Sequence, residues 1–247
     1  MFDFTINKNA LTQQVILVTG AGDGIGRQAA LSYAQQGAIV ILLGKTVSKL
    51  ESVYDEIINQ GFPQPAIIPL DLKGATAQHY IDMVDTIKQQ FQRLDGVLHN
   101  ASILTVLSPF EQIEEDSFDD IMQVNVKAPF LMTQALLPLM KATKNSSIIF
   151  TSSGVGQKGR AYWGGYAMSK FATVGMMETL ADELEDTQVR VNCINPGATA
   201  THMRARAFPG EDASTLKTPL EIMPAYLYLM SDESLNINGQ SINAQKK

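Results

Sequence analysis

A chain of 247 residues, 45% hydrophobic and 18% charged, has an ordinary globular composition, which excludes a disordered or fibrous protein and fits one large α/β domain. Nineteen basic against 25 acidic side chains give a net charge of −6 with no basic run, which disfavours nucleic-acid binding. A single cysteine, Cys193, no leader-like pattern in MFDFTINKNALTQQ, and no apolar run longer than Ala38 to Leu43 lead us to expect a cytoplasmic protein rather than a secreted or membrane one.

In chain order the hydrophobic pattern alternates. Gln14 to Thr19 is a short β-branched run ending at glycine, as expected of a strand buried on both faces. A helix is predicted from Ile25 to Gln36, with Gly37 as its C-terminal cap. Ala38 to Leu43 reads as strand, Val47 to Gln60 as helix, and Ala66 to Leu70 as strand after Gly61 and two prolines. His79 to Arg93 then reads as helix and Gly96 to His99 as strand. One long helix is expected from Asp116 to Ala142, then strand Ser147 to Thr151, helix Tyr166 to Glu185 and strand Arg190 to Ile194. Strict βαβ alternation predicts a doubly wound parallel sheet of about seven strands with helices on both faces. The pattern breaks only at Thr199 to Pro219, which reads as a binding loop or lid inserted into a domain spanning 1–247.

Chemistry first enters at Thr19-Gly20-Ala21-Gly22-Asp23-Gly24-Ile25-Gly26, between the first strand and the first helix. Glycines there permit positive φ and close backbone approach, and the helix start offers unpaired N–H groups to a pyrophosphate. The segment lacks the Gly-Lys-Ser/Thr ending of a Walker loop, and its glycine spacing differs from the usual G-x-G-x-x-G. Further along, Asp71-Leu72 follows the third strand and His99-Asn100-Ala101-Ser102 the fourth. Asn125 lies in Val-Asn-Val, and Ser152-Ser153 end the fifth strand. Tyr166-Ala-Met-Ser-Lys170 follows Ser153 by thirteen residues, and Pro196-Gly197 close the sixth strand.

Together, in this order, these motifs resemble the short-chain dehydrogenase/reductase family over nearly the whole chain. The resemblance implies a Rossmann-type fold and a nicotinamide cofactor held by Gly20, Asp23, Gly24, Ile25, Gly26, Lys45, Asp71, Leu72, Asn100, Ala101, Tyr166, Lys170, Pro196, Gly197 and Thr199. It implies Asn125, Ser153, Tyr166 and Lys170 as catalytic residues, with Lys170 also on the nicotinamide ribose and Asn125 holding a relay water. Two of its usual elements are altered. Asn-Asn-Ala-Gly becomes His-Asn-Ala-Ser, so His99 and Ser102 are expected to change packing at the adenosine end. The tail lacks Asp-Gly-Gly, which weakens the family's tetramer; the two long helices still favour a homodimer.

The residues support the same chemistry on physical grounds. Tyr166 and Lys170 stand four apart, on one face of a helix. Lowering a tyrosine from about 10 to about 7 requires roughly 4 kcal/mol, about what a cation some 4 Å away supplies at an effective dielectric near 20. Tyr166 then acts as general acid in carbonyl reduction, with Ser153 bonding the developing oxyanion. The second strand, AIVILLGK, ends without the acid that favours NAD, and Lys45 would attract a 2′-phosphate, so NADP(H) is favoured over NAD(H). The expected activity is hydride transfer between NADP(H) and a carbonyl or secondary alcohol. The alternative is a catalytically silent dinucleotide-binding sensor or scaffold.

His79, His99 and His202 form no metal-ligand cluster, so no metal is expected. Cys193 reads as a small buried residue. Ser152 is the neighbouring alternative to Ser153. Tyr162 and Trp163 either wall the pocket or simply pack. In the 199–219 segment, Met203 and Phe208 suit an apolar substrate, Arg204 or Arg206 an anionic group, and His202 lies near the substrate side.

Overall fold

The computed structural model describes Phe4 and residues 7–245. Seven parallel strands form one sheet: β1 (Val15–Thr19), β2 (Ile39–Gly44), β3 (Ala66–Pro69), β4 (Gly96–His99), β5 (Ser147–Thr151), β6 (Arg190–Asn195) and β7 (Ser241–Asn243), in the spatial order 3-2-1-4-5-6-7. Every pairing is parallel, with Leu17 opposite both Ile41 and Val97, and Ile149 opposite Asn192. Strand order reverses between β1 and β4, and the crevice outside the carboxyl ends of such a pair is where open α/β sheets bind nucleotides.

Period-two alternation explains the two helix layers. Ile16, Val18, Val40 and Leu42 point to a core shared with α1 (Gly24–Gln35), α2 (Val47–Asn59) and α8 (Met223–Met230), around Tyr33 and Tyr226. Val15, Leu17, Ile41 and Leu43 point the other way, to α3 (Ala77–Phe91), α5 (Ala128–Lys141) and α6 (Gly164–Glu183), around Tyr80, Met132 and Met177. The five inner strands, β1, β2, β4, β5 and β6, are thus buried on both faces, while the edge strands β3 and β7 are only partly covered.

Four departures from the sequence reading have physical causes. The expected single helix Asp116–Ala142 begins at Glu115 and is split into α4 (Glu115–Met122) and α5 by a π-helical turn at Gln123–Lys127. That turn inserts a residue into the helical repeat, and Gln123 reaches from it to the Leu72 carbonyl. Helix α3 starts two residues earlier than expected, because Thr76 and His79 form a reciprocal cap. The seventh strand is only Ser-Ile-Asn, too short to register as a hydrophobic run. The 199–219 segment holds α7 (His202–Ala207) and a bridge between Thr199 and Lys217. Among the described residues, no helix is long and apolar enough to cross a membrane.

Candidate active site

The carboxyl ends of β1 and β4 are joined through one hydroxyl. Thr19 Oγ1 accepts from the backbone N–H groups of Asn100 and Ala101, each at 3.0 Å, and donates to Leu98 O at 3.3 Å. Glycine is required where the two loops touch. Gly20 has φ +67°, and a Cβ there would lie 3.1 Å from Ala101 Cα. A Cβ on Gly26 would lie 2.2 Å from Gly20 O, so only glycine lets α1 start directly beneath the turn. Asp23 caps that helix, accepting from Gly24 N at 2.7 Å, and Ile25 packs into the core behind it. A helix of twelve residues therefore aims its N-terminus at the reversal point of the sheet, under a turn stripped of side chains. This arrangement fits a dinucleotide pyrophosphate.

Chemistry-bearing side chains converge at the end of β5. Ser152 is buried, and its hydroxyl has no hydrogen-bond partner among the described residues. Ser153 accepts from Val155 N at 3.4 Å and stands near enough to the Tyr166 phenol to offset part of the effect of burial on it. The loop after β5 presses against α6 through Gly156, where a Cβ would meet Lys170 O at 2.7 Å. Tyr166 and Lys170 share a buried face of α6, with the ammonium 5.4 Å from the ring centroid. Lys170 Nζ donates to Thr151 O at 2.8 Å.

Tuning of the phenol differs from the expectation. Burial pushes Tyr166 up to about 12, while hydrogen bonds from Ser102 and Ser153 pull in the opposite direction. Burial likewise lowers Lys170 to about 8. Desolvation dominates both groups, and the ammonium is turned to a backbone carbonyl rather than to the phenol oxygen.

Asn125 lies in the π-helical turn, 3% exposed. Its Oδ1 accepts from Ile103 N at 2.8 Å, and its Nδ2 donates to Ile103 O at 2.9 Å and to Ser169 Oγ at 3.1 Å. Ser169 in turn donates to Tyr166 O at 2.8 Å. Asn125 is therefore a clamp joining the segment after β4 to the helix of Tyr166. With Thr19 holding Ala101 and Asn125 holding Ile103, Ser102 is fixed from both sides.

Ser102 stands near enough to the Tyr166 phenol to offset part of the effect of burial on it, a contact the expectation for the adenosine end did not include. His99 also faces elsewhere: it is buried, stacked on Phe150 at 4.8 Å and bonded to Thr133 Oγ1 at 2.9 Å. Burial drops it to about 3, so it stays neutral. Sequence reasoning weighed these two positions as departures from a motif; the clamp that aims Ser102 arises from a residue twenty-odd positions away.

Around this floor, Asp71 is exposed and accepts from Lys73 N, Leu72 is buried, and Lys45 is exposed at the end of β2 without an ion pair among the described residues. After β6, Gly197 takes φ +72°, and Thr199 is buried with its hydroxyl bonded to Pro196 O. Gln245, absent from the sequence reading, donates to Pro196 O at 2.8 Å and Ala198 O at 2.9 Å, tying the C-terminal tail to this loop. His202 meets Asp23 at 3.1 Å, and Lys49 meets the same carboxylate at 2.5 Å, so the 199–219 segment rests on the glycine turn. Partial burial opposes ionisation of Asp23, but these two partners hold it below the usual carboxylate range.

Arg204 is not a free anion receptor: its Nε and Nη2 each donate to Glu211 at 2.6 Å. Its guanidinium also covers Phe208 at 3.9 Å from the centroid. The Phe208 ring lies 5.9 Å from Trp163, and Trp163 lies 5.7 Å from Tyr166, which makes Trp163 part of the wall beside the phenol. Cys193 is fully buried in β6.

Known proteins share this arrangement. The family model described as short chain dehydrogenase matches residues 14–212. "Uncharacterized oxidoreductase YciK" of Escherichia coli K12 is 50% identical over 238 residues, covering 96% of this chain and 94% of that one. A short-chain dehydrogenase structure from Pseudomonas syringae superposes with a TM-score of 0.98 at 54% identity, covering 99% and 100% of the two chains. Another, from Shigella flexneri and described as complexed with NADP, gives 0.95 at 50% identity, covering 97% and 100%. With its seven-stranded parallel sheet, its glycine turn and a match running through most of its length, the chain belongs to the short-chain dehydrogenase/reductase family of oxidoreductases.

Proposed function

We propose that this protein reduces a carbonyl compound, or oxidises the corresponding secondary alcohol, with NADP(H) as cofactor and Tyr166 as the acid/base. One observation carries the reading: Tyr166 and Lys170 are buried together on α6 at the open end of the sheet, the ammonium 5.4 Å from the ring and bonded to Thr151 O, with Ser102 and Ser153 near the phenol. A nicotinamide bound there supplies the hydride. Gly20, Asp23, Gly24, Ile25 and Gly26 would hold the pyrophosphate, Asp71, Leu72, Asn100 and Ala101 the adenosine side, and Pro196, Gly197 and Thr199 the β6 end. Lys45 would bind the 2′-phosphate; no acid on β2 opposes it, and the NADP complex of the Shigella flexneri relative supports that choice.

Tyr166 stays protonated well above neutrality, as a proton donor to a carbonyl oxygen must. Ser153 and Ser102 stabilise negative charge on the same oxygen or on the phenolate left behind. Lys170, positively charged below about 8, favours that phenolate and would reach the nicotinamide ribose. Both amide hydrogens of Asn125 are used on Ile103 and Ser169, so a relay water at this position would be held by the main chain of the π-helical turn.

The 199–219 segment would act as a lid over this floor. Exposed Phe130, Met168 and Phe171 on α5 and α6 support a homodimer through those helices, and a cytoplasmic location goes with this reading.

The test is Tyr166→Phe assayed against ketones, aldehydes and β-ketoacyl thioesters with both cofactors. NADPH binding should persist while turnover falls by roughly 10²–10⁴-fold, the usual contribution of a positioned acid. Unchanged turnover would remove Tyr166 from the mechanism. Lys45→Ala should weaken NADPH far more than NADH; equal losses would contradict the phosphate role.

A further inference from the structure

The wall leading away from the Tyr166 phenol is aromatic, and the cation that touches its rings is already paired. Trp163, then Phe208, follow Tyr166 at centroid separations of 5.7 and 5.9 Å, and Leu104 and Val155 pack into the same cluster. The cation at the far end, Arg204, is neutralised by Glu211 through two parallel bonds and lies flat on Phe208. Nearer the outside, Ser108 N donates to Tyr162 O, which joins two segments that expose Val106, Phe110 and Tyr162, at 87%, 73% and 62%. Apolar side chains exposed on segments joined to the aromatic run favour an apolar ligand.

Resting on the reading above, we propose that the substrate presents its carbonyl on an uncharged apolar ring or chain that packs against Trp163 and Phe208, and that anionic oxo-acids are discriminated against. An anion entering this wall loses its hydration without gaining a partner. Recruiting Arg204 would break a bidentate pair and leave Glu211 uncompensated. An apolar body, by contrast, covers aromatic surface that is already poorly hydrated. Sequence reasoning allowed Arg204 or Arg206 as an anion receptor; the Glu211 partner, seven residues on across the Pro209-Gly210 turn, occupies Arg204, while Arg206 is exposed beside Asp23, Lys49 and His202 rather than on the aromatic rings.

The test uses two matched ketones: cyclohexanone bearing a methyl group opposite the carbonyl, and its counterpart bearing a carboxylate there. NADPH oxidation gives kcat/KM for each. Trp163 is the only tryptophan in the chain, so quenching of its fluorescence in the NADP+ complex reports binding without turnover. The methyl compound should be favoured by at least about tenfold in kcat/KM and should quench at lower concentration. Glu211→Gln, which releases Arg204, should narrow that ratio at least about threefold. Equal or better use of the carboxylate, or no response of Trp163 to either ketone, overturns the inference. Activity of both ketones that survives in Tyr166→Phe would instead overturn the proposed chemistry, so the two failures are distinguishable.

Discussion

The floor of the site and the segment above it are built by opposite means. On the floor, Thr19, Asn125 and Lys170 are nearly inaccessible, and each bonds a backbone group far away in sequence. In the 199–219 segment no residue after Thr199 is buried, and its ion pair and caps are mostly local: Arg204 with Glu211, Asp212 with Ser214. Buried long-range bonds fix positions to a fraction of an ångström, which proton transfer requires. Exposed local bonds contribute little to stability, so that segment can open at small cost. On the proposed function, chemistry would belong to the buried half and substrate selection to the exposed one.

The largest effect is expected from removing the clamp on the floor. Asn125→Ala strips both backbone partners from Ile103 and leaves Ser169 with one bond fewer. At about 1–3 kcal/mol per unsatisfied buried group, unfolding in urea should show a loss of about 4 kcal/mol. Activity should fall at least hundredfold, because Ser102 and Tyr166 lose their common brace. Asn125→Asp should fare as badly, since a carboxylate cannot donate to Ile103 O or Ser169. A kcat within twofold of the parent would show that the brace does not set the site.

Lys170 should produce the next largest signal, readable through pH. Burial lowers it from about 10.5 to about 8, so between those values the unfolded chain binds more protons than the folded one. Stability conferred by position 170 should therefore rise as pH climbs from about 8 to about 10.5, by on the order of 3 kcal/mol. Cys193 acts in the opposite sense: burial raises it to about 12, so its contribution is lost as pH rises from about 9. Comparing the parent with Lys170→Met at each pH cancels most of that. The difference in unfolding free energy should shift toward the parent with rising pH, and a flat difference would refute the buried-cation account.

A smaller change is expected at Ser102, which tests how finely the floor is tuned. Its bond holds Tyr166 lower than burial alone would, so Ser102→Ala should raise the phenol further. Alcohol oxidation near pH 8 needs the phenolate and should slow about threefold to tenfold, roughly 1 kcal/mol. Carbonyl reduction needs the protonated phenol and should slow less. Equal slowing in both directions would assign Ser102 a purely structural role.

These two regions also differ in how far the sequence discloses them. Six strands and the helices between them follow from apolar runs and glycine punctuation, because a strand buried on both faces has little freedom in composition. Ser153, Tyr166 and Lys170 are named by the family resemblance, helical spacing adds that Tyr166 and Lys170 share a face, and the structure places the three near one another. The nearness of Ser102 to the phenol is not legible in the sequence, because it depends on Asn125 inside a π-helical turn, which has no hydrophobic period to reveal it. The partnership of Arg204 with Glu211 was missed for a related reason: it closes across an irregular turn, and pairing there follows from backbone geometry alone. What the sequence conceals is contact made by irregular backbone.

The smallest effect is expected in the upper segment, and it sharpens the contrast. The Arg204–Glu211 pair is about one quarter exposed on each side, so despite its bidentate geometry it should contribute little to stability. Glu211→Gln should therefore move the melting temperature by no more than about 3 °C in a chain of this size. The same substitution should alter the discrimination between charged and neutral ketones severalfold. Hydrogen exchange gives the independent check: amides of α7 should exchange through local opening, while those of β1, β4 and β5 wait for global unfolding. If α7 were as protected as the central strands, the segment would be part of the rigid frame. Its ion pair would then have to be counted with Asn125 and Lys170 rather than against them.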